Sequence, residues 1–401
     1  MRAFHKNPMS TKTLILGGGF GGIAAANTLR RILPPEHAIT VLDQSPRFLV
    51  GAGKTWVMLG ERTAGDITQA REALLEPDVQ LVQGTARKLD LKGRTVTTDT
   101  GELSWDYLVI ALGADVNMNA VPGLAAAHTF YTLDGAERLR SVLAEFSVGD
   151  VAILIPKAPF KCPPAPYEAA LLLHRYFADR GRGAAVRLGL YTVEGVPMAT
   201  AGPEMGAFIK AELAARGIGF FPQKAVARVD VPGRRIEFAD GTTAPCDLLI
   251  AVPPHEAPAV VREAQLVNAA GWVPVDPHTL EVKHTDADGR VFAIGDVTTV
   301  PLPGRFKPDV PLALPKAGVM AAAQGNVAAQ QIAARILGTT TSAAFDGKGF
   351  CYLETGGGAA IKANGSFFEL PNPVMQKQAA NAEQFADKLE WVRKNLAPVR
   401  R

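Results

Sequence analysis

Along most of this 401-residue chain, short apolar runs alternate with stretches of helical composition. Leu14–Leu16, Ile39–Leu42, Val79–Val82, Tyr107–Ala111, Val151–Ile155, Val186–Tyr191, Gly219–Phe221 and Cys246–Val252 read as buried strands. Ile23–Ile32, Tyr167–Ala178, Glu204–Arg216 and Lys316–Leu337 have helical composition. Strands that alternate with helices predict an α/β chain built from βα units around parallel sheets. A chain of 401 residues is more than one core usually serves, so two or three domains are expected.

The first apolar run feeds into Gly17-Gly18-Gly19-Phe20-Gly21-Gly22 and then into a helix. Gly17, Gly19 and Gly22 carry the G-x-G-x-x-G spacing of a dinucleotide-binding turn. The first glycine permits the turn, the second admits a pyrophosphate and the third lets helix and strand pack closely. The helix start offers unpaired N–H groups and partial positive charge to that pyrophosphate. Asp43 ends the second strand, where a carboxylate accepts from a ribose hydroxyl, with Gln44 beside it. Gly51-Ala52-Gly53-Lys54 reads as a loop over the cofactor, with Lys54 either meeting it or lying on the surface. The strand ending in Ala111-Leu112-Gly113-Ala114 and the strand ending in Gly295-Asp296 complete the nucleotide-facing turns.

A second βα unit starts near Asp150, but its turn reads PKAPFKCPPAP. Proline has no N–H, so this turn lacks the backbone cradle that phosphates need, and a nicotinamide dinucleotide is not expected there.

Composition adds mainly exclusions. Hydrophobic residues make up 47% and charged residues 20%, ordinary values for a globular protein. The formal net charge of +3 gives no ground for nucleic-acid binding. Three cysteines are no secreted disulfide framework. No spacing of His, Cys and carboxylate suggests a metal site. The N-terminal segment lacks an apolar core before the first strand, so no signal peptide is expected, and no run is long enough to span a membrane. The expected location is cytoplasmic, with peripheral contact to the inner membrane open. In the tail, Phe385, Leu389, Val392 and Leu396 recur on one helical face, with Trp391 nearby and six Lys/Arg against three acids over 371–401. Such a helix either lies in a membrane interface or docks on its own protein or a twin subunit.

GGGFGG with Asp43, the Ala-Leu-Gly-Ala strand end and Ala293-Ile294-Gly295-Asp296 resemble the two-dinucleotide-fold flavoprotein disulfide reductases. Pro159–Glu168 more specifically resembles sulfide:quinone oxidoreductases and the flavoprotein subunit of flavocytochrome c sulfide dehydrogenase. Gly349-Phe350-Cys351 is similar to that group's C-terminal redox cysteine, and Leu314–Gly318 to the segment carrying its flavin-facing lysine, here Lys316. The resemblance implies tandem Rossmann-like domains and a small C-terminal lobe. The divisions would be 11–115 and 290–340 for FAD, 116–289 for a degenerate second domain, and 341–401 for the lobe. It implies FAD contacts at Gly17, Gly19, Phe20, Gly22, Asp43, Gln44, Lys54, Ala111, Gly113, Gly295, Asp296 and Lys316. No cysteine lies between Asp43 and Gly65, so the flavin is expected to be non-covalent.

The same resemblance implies sulfide oxidation to polysulfide, with Cys351 next to the flavin and Cys162 receiving sulfur. Electrons would pass to a quinone or, in the flavocytochrome alternative, to a cytochrome. An NAD(P)H-dependent disulfide or quinone reductase and a non-catalytic flavin sensor stay open, as does a homodimer. A disulfide needs Cα atoms roughly 4.4–6.8 Å apart, so Cys162 and Cys351 must converge, each from a loop carrying Pro or Gly. Lys161 and the following helix start are expected to lower the Cys162 thiol pKa. Glu168 reads either as a proton acceptor for sulfide or as a first-turn acid on the helix dipole. Cys246 reads as structural.

Overall fold

The computed structural model describes residues 10–284 and 286–399. The N-terminal segment weighed for a signal sequence, and Arg400 and Arg401 of the tail, lie outside them. Two parallel sheets organise the chain. The first runs Val291–Ala293, Tyr107–Ile110, Lys12–Leu16, Ala38–Asp43, Val79–Gln83. The central strand is apolar after Thr13, with Leu14, Ile15 and Leu16 at most 2% exposed. A strand covered on both faces needs that unbroken apolar run rather than alternation.

Helices Phe20–Ile32 and Gly318–Leu337 pack together on this sheet. They approach so closely that a Cβ at Gly325 would fall on the Gly21 carbonyl oxygen. The turn between Leu16 and Phe20 depends on two glycines. Gly17 has φ +94°, and a Cβ there would strike the Ala111 carbonyl. A Cβ on Gly22 would overlap the Gly17 carbonyl. Gly19 has nothing within 4 Å of its would-be Cβ.

The second parallel sheet runs Gly219–Phe221, Val186–Thr192, Gly149–Ile155, Leu248–Ala251. Helix Ala165–Asp179 follows the proline turn and buries Tyr167, Ala170, Leu171 and Leu173 completely. Glu194 lies two residues past strand Val186–Thr192, much as Asp43 ends the second strand of the first sheet. Its carboxylate accepts from the Tyr167 hydroxyl at 2.6 Å and from Thr192 at 3.3 Å. The acid of the second unit is thus occupied from within.

The C-terminal segment is a three-stranded antiparallel sheet, Lys348–Gly356, Ala359–Ser366 and Val374–Lys377, followed by helix Ala382–Asn395. Cys351 lies within the first of these strands, opposite Ala363, and not on a loop as its glycine-rich neighbourhood suggests. Among the described residues no helix is long and apolar enough to cross a membrane. The tail helix caps itself through Asn381, whose side chain accepts from the Gln384 N–H at 2.8 Å.

The apolar face of that helix is turned inward. Val392 is buried, and Phe385, Leu389, Trp391 and Leu396 pack against the core of the second sheet. Trp391 stacks on Phe20 with centroids 5.7 Å apart and planes 9° apart. Lys388, counted by sequence among the helix's basic residues, is 1% exposed. Of the two readings of this helix, the structure therefore favours docking on its own protein. Full burial of a large apolar side chain is worth about 1.5–3 kcal/mol, and the partial burial of Phe385, Leu389, Trp391 and Leu396 with that of Val392 favours the inward face.

Candidate active site

One cavity of about 330 Å³ gathers most of the chemistry singled out by sequence. Its walls include Phe20, Lys54, Cys162, Glu168, Asp296, Lys316 and Cys351. Cys162 comes from the proline turn before helix Ala165–Asp179, and Cys351 from the C-terminal sheet. Neither is in a disulfide. Cys162 holds a left-handed backbone, φ +55°, uncommon for a side chain with a Cβ. Its N–H donates to the Lys316 carbonyl at 2.8 Å and its carbonyl accepts from Ala165 at 2.9 Å. The first bond ties the turn to the segment before helix Gly318–Leu337, and the second closes the turn on itself.

The thiols differ from the sequence expectation. Burial, then the Glu168 charge, pushes Cys162 up to about 11, despite Lys388 and Lys54. Burial, then Cys162, pushes Cys351 up to about 12. Desolvation of a thiolate in an apolar wall outweighs the helix start and the neighbouring lysine.

Glu168 is also not the free base that one reading expected. Its Oε1 accepts from Thr55 at 3.3 Å and Lys388 at 3.2 Å, and its Oε2 from the Glu354 N–H at 2.9 Å and Lys388 at 3.3 Å. Three donors thus make four contacts to the two carboxylate oxygens. Lys388 also pairs with Glu354 Oε1, which accepts from Trp56 Nε1 at 2.7 Å. All three charged side chains are at most 6% exposed. Burial, offset in part by Lys388, raises the Glu168 pKa. Burial lowers that of Lys388, but Glu168 and Glu354 more than offset this and leave it raised.

Lys316 is 7% exposed and its ammonium is occupied. It donates to the carbonyls of Asp296 at 2.7 Å and Thr298 at 2.8 Å and sits 3.4 Å from the Trp272 ring centroid. Burial brings its pKa down to about 8 against the pull of Asp296. Lys54 is neither in a loop nor on the surface. It opens helix Lys54–Leu59, is 8% exposed, and donates to the Tyr131 carbonyl at 2.5 Å. Burial, then Lys161, lowers it to about 7.

The glycine turn has the features a dinucleotide needs. Space over Gly19 is open, so a pyrophosphate can approach its backbone. Asp43 Oδ2 accepts from the Gly18 N–H at 2.7 Å, and Arg71, 4% exposed, pairs with Asp43 Oδ1 at 3.1 Å. Gln44 is exposed beside it. Ala111 N–H donates to Leu16 at 2.7 Å and fixes the neighbouring strand end, beyond which Gly113 has φ +71°. Gly295 N–H donates to the Gln324 side chain at 2.7 Å. Asp296 Oδ1, by contrast, is buried with no partner, on a residue that lines the cavity. An orphaned carboxylate oxygen there fits a polyhydroxyl chain such as the ribityl of FAD. Among the described residues, no group of three or more His, Cys, Asp and Glu is placed to hold a metal ion.

Sequence reasoning missed Arg71, Gln324, Glu354 and the inward role of Lys388. Gln324 is one of several polar residues in helix Gly318–Leu337, and nothing in the sequence singles it out from Asn326, Gln330 or Gln331.

Comparison with known proteins follows the same lines. Residues 11–154 match the family of pyridine nucleotide-disulphide oxidoreductases, and residues 136–188 match the central part of the flavoprotein chain of sulfide dehydrogenase (flavocytochrome c). The chain is 27% identical over 304 residues to the mitochondrial sulfide:quinone oxidoreductase of Mus musculus, covering 72% of this chain and 66% of that protein. It is 26% identical over 330 residues to the sulfide-quinone reductase of Aquifex aeolicus, covering 78% and 74%. The crystal structure of the Aquifex aeolicus sulfide:quinone oxidoreductase has the same fold, with TM-score 0.83 at 23% identity over 97% of this chain and 93% of that one. The chain thus spans about two thirds to three quarters of the length of these curated relatives.

Proposed function

Because the chain is similar over most of its length to sulfide:quinone oxidoreductases, we propose that it is an FAD-dependent enzyme that oxidises sulfide and delivers the electrons to a quinone. The observation that supports this reading is that Cys162 and Cys351 both line one cavity with Lys54, Asp296 and Lys316. When bound, FAD supplies the two-electron relay between sulfur and acceptor. Gly17, Gly19, Gly22 and Asp43 would hold its adenylate half. Asp296 and the turn at Gly295 would hold its ribityl chain.

Hydrosulfide is a nucleophile that attacks one sulfur of a disulfide and releases the other as thiolate. Cys162, on the turn, would accept the new sulfur, and Cys351 would be the sulfur that leaves. Growth of a sulfane-sulfur chain on Cys162 gives polysulfide. The raised value at Cys351 makes it a slow leaving group in that exchange and a strong electron donor once released.

The end of the cavity lined by Phe20, Phe350, Tyr352, Met375 and Trp391 is apolar and aromatic. Phe350 and Trp391 stand edge to face at 6.3 Å. Such walls suit a flat quinone ring more than a charged carrier. The proline turn, which lacks the backbone N–H groups a dinucleotide needs, speaks against NAD(P)H as donor.

The test is an anaerobic titration of the purified yellow protein. Sulfide should bleach the flavin, and decylubiquinone should restore it. Cys162→Ser and Cys351→Ser should each abolish bleaching. Bleaching undiminished in both variants would remove the cysteine pair. Reoxidation by cytochrome c and not by quinone would shift the reading to the flavocytochrome type, the protein whose central part matches residues 136–188.

A further inference from the structure

Sulfide oxidation in an apolar cavity needs a group beside Cys162 that takes up a proton, because a persulfide formed there carries S–H. The carboxylate of Glu168 already accepts four contacts from three donors, Lys388 among them, and is not free to take it. Lys54 is placed differently. It lines the same cavity as Cys162, and its only hydrogen-bond partner among the described residues is the Tyr131 carbonyl. No carboxylate lies within ion-pair distance of it among the described residues. A neutral amine that donates one N–H still has its lone pair free.

We propose that Lys54 is the proton-exchanging group for sulfur bound at Cys162, taking the proton of the nascent persulfide and, as ammonium, holding the resulting anion. This rests on the sulfide reading above. Hydrosulfide attacks Sγ of Cys162, and the Cys162–Cys351 bond breaks. Cys351 leaves as thiolate with the electron pair. The disulfide is the two-electron oxidant of the attacking sulfur. The Cys162–S–SH group then passes its proton to the Lys54 amine, which leaves ammonium beside a persulfide anion. Quinone is the eventual acceptor of the pair.

The surroundings support both forms of Lys54. Lys161 and Cys162 face it from the proline turn, Asp296 from the end of strand Val291–Ala293, and Tyr131 from the segment before helix Leu133–Glu145. Glu168, on helix Ala165–Asp179, touches its neighbour Thr55. Lys161 disfavours the ammonium, while an anion at Cys162 and the Asp296 carboxylate favour it. With burial the balance falls near neutrality, at about 7. His255, also buried near this cluster, is pushed down to about 3 by burial and then Lys161, so it stays neutral and cannot compete as a base.

Two measurements test this on the FAD-loaded protein, with flavin absorbance per chain as the control for cofactor retention. In a Cys246→Ser/Cys351→Ser background, the pH dependence of Cys162 alkylation by iodoacetamide reports the thiol's own titration without any turnover. Lys54 is neutral where Cys162 titrates, so Lys54→Arg, charged throughout, should move that titration down by about one pH unit or more, and Lys54→Met should not. In the cysteine-complete protein, sulfide-driven flavin bleaching should slow at least ~100-fold in both Lys54→Met and Lys54→Arg, because neither side chain exchanges a proton near neutral pH. An unchanged Cys162 titration in Lys54→Arg, or bleaching at the parental rate in that variant, would overturn the assignment. If the parent protein fails to react with sulfide, the sulfide reading falls and the catalytic half of this assignment with it. The alkylation series would still decide whether a cation at position 54 acts on an anion at Cys162.

Discussion

Replacing Lys388 by methionine removes the single cation between two buried carboxylates. Lys388 Nζ lies 3.2 Å from Glu168 Oε1 and also pairs with Glu354. At an effective dielectric constant of about 20, unit charges at that distance attract by about 5 kcal/mol before the cost of desolvating them. Breaking a buried pair by deleting one partner typically costs about 3–5 kcal/mol, because the other charge is left uncompensated. Here two are left. The loss should appear first where Lys388 resides, as local opening of helix Ala382–Asn395. Hydrogen exchange of peptides over 382–395 reads it directly. About 3 kcal/mol corresponds to at least ~100-fold faster exchange by opening, at ~1.4 kcal/mol per tenfold.

The pH dependence has a defined sign. Glu168 is raised in the folded state, so the folded chain binds that proton more tightly than the unfolded one. Its contribution is therefore most favourable below the ordinary carboxyl range and is lost as pH rises through the raised value. Without Lys388 the carboxyl rises further, so the variant should lose protection more steeply than the parent between about pH 5 and 8. Adding Glu354→Gln should recover part of the loss. Exchange of the tail helix within threefold of the parent at pH 7 would refute the claim that this triad fastens it.

Three further outcomes follow from the same geometry. Gly19→Ala should fold with parental circular dichroism yet bind FAD at least tenfold more weakly, because open space there is needed by the ligand and not by the chain; Gly22→Ala should lose both, and equal FAD content in Gly19→Ala would contradict the cradle. Lys316→Met leaves the Asp296 and Thr298 carbonyls without their donor, at about 1–3 kcal/mol each if they stay dry, and should lower the melting temperature even in the apoprotein. Trp391→Ala removes a stacked partner of Phe20 and should cost about 3–5 kcal/mol in chemical denaturation without changing liposome binding, which a membrane-facing indole would alter.

The nucleotide half of the molecule is readable in the sequence because its requirements are local. A turn that must pass Gly17 under Ala111 and Gly22 against Gly17 tolerates no side chain, and that need is written within six residues. The parallel sheets are likewise announced by continuous apolar runs. The C-terminal segment is less legible for a different reason. Cys351 sits in a strand paired with 359–366, and its register is set by partners that local composition does not reveal. The tail helix has the charge pattern of a surface element, yet one of its lysines is drawn inward by acids 34 and 220 residues away. The thiol values were misread because neighbouring charge is visible in a sequence while desolvation is not. Arg71, which fastens Asp43 across 28 positions, belongs to the same class of long-range fact.

The tyrosine hydroxyl on Glu194 bears on the history open to this architecture. A carrier's sugar could claim that carboxylate only after the aromatic ring, itself wholly enclosed by its neighbours, had been withdrawn. Glycines would also have to replace the prolines that hold the sulfur-bearing turn. Neither change is useful without the other, and each alone damages a packed interior. Restoring a second dinucleotide site would therefore take linked changes at the turn and in the core beneath it, and not a single substitution.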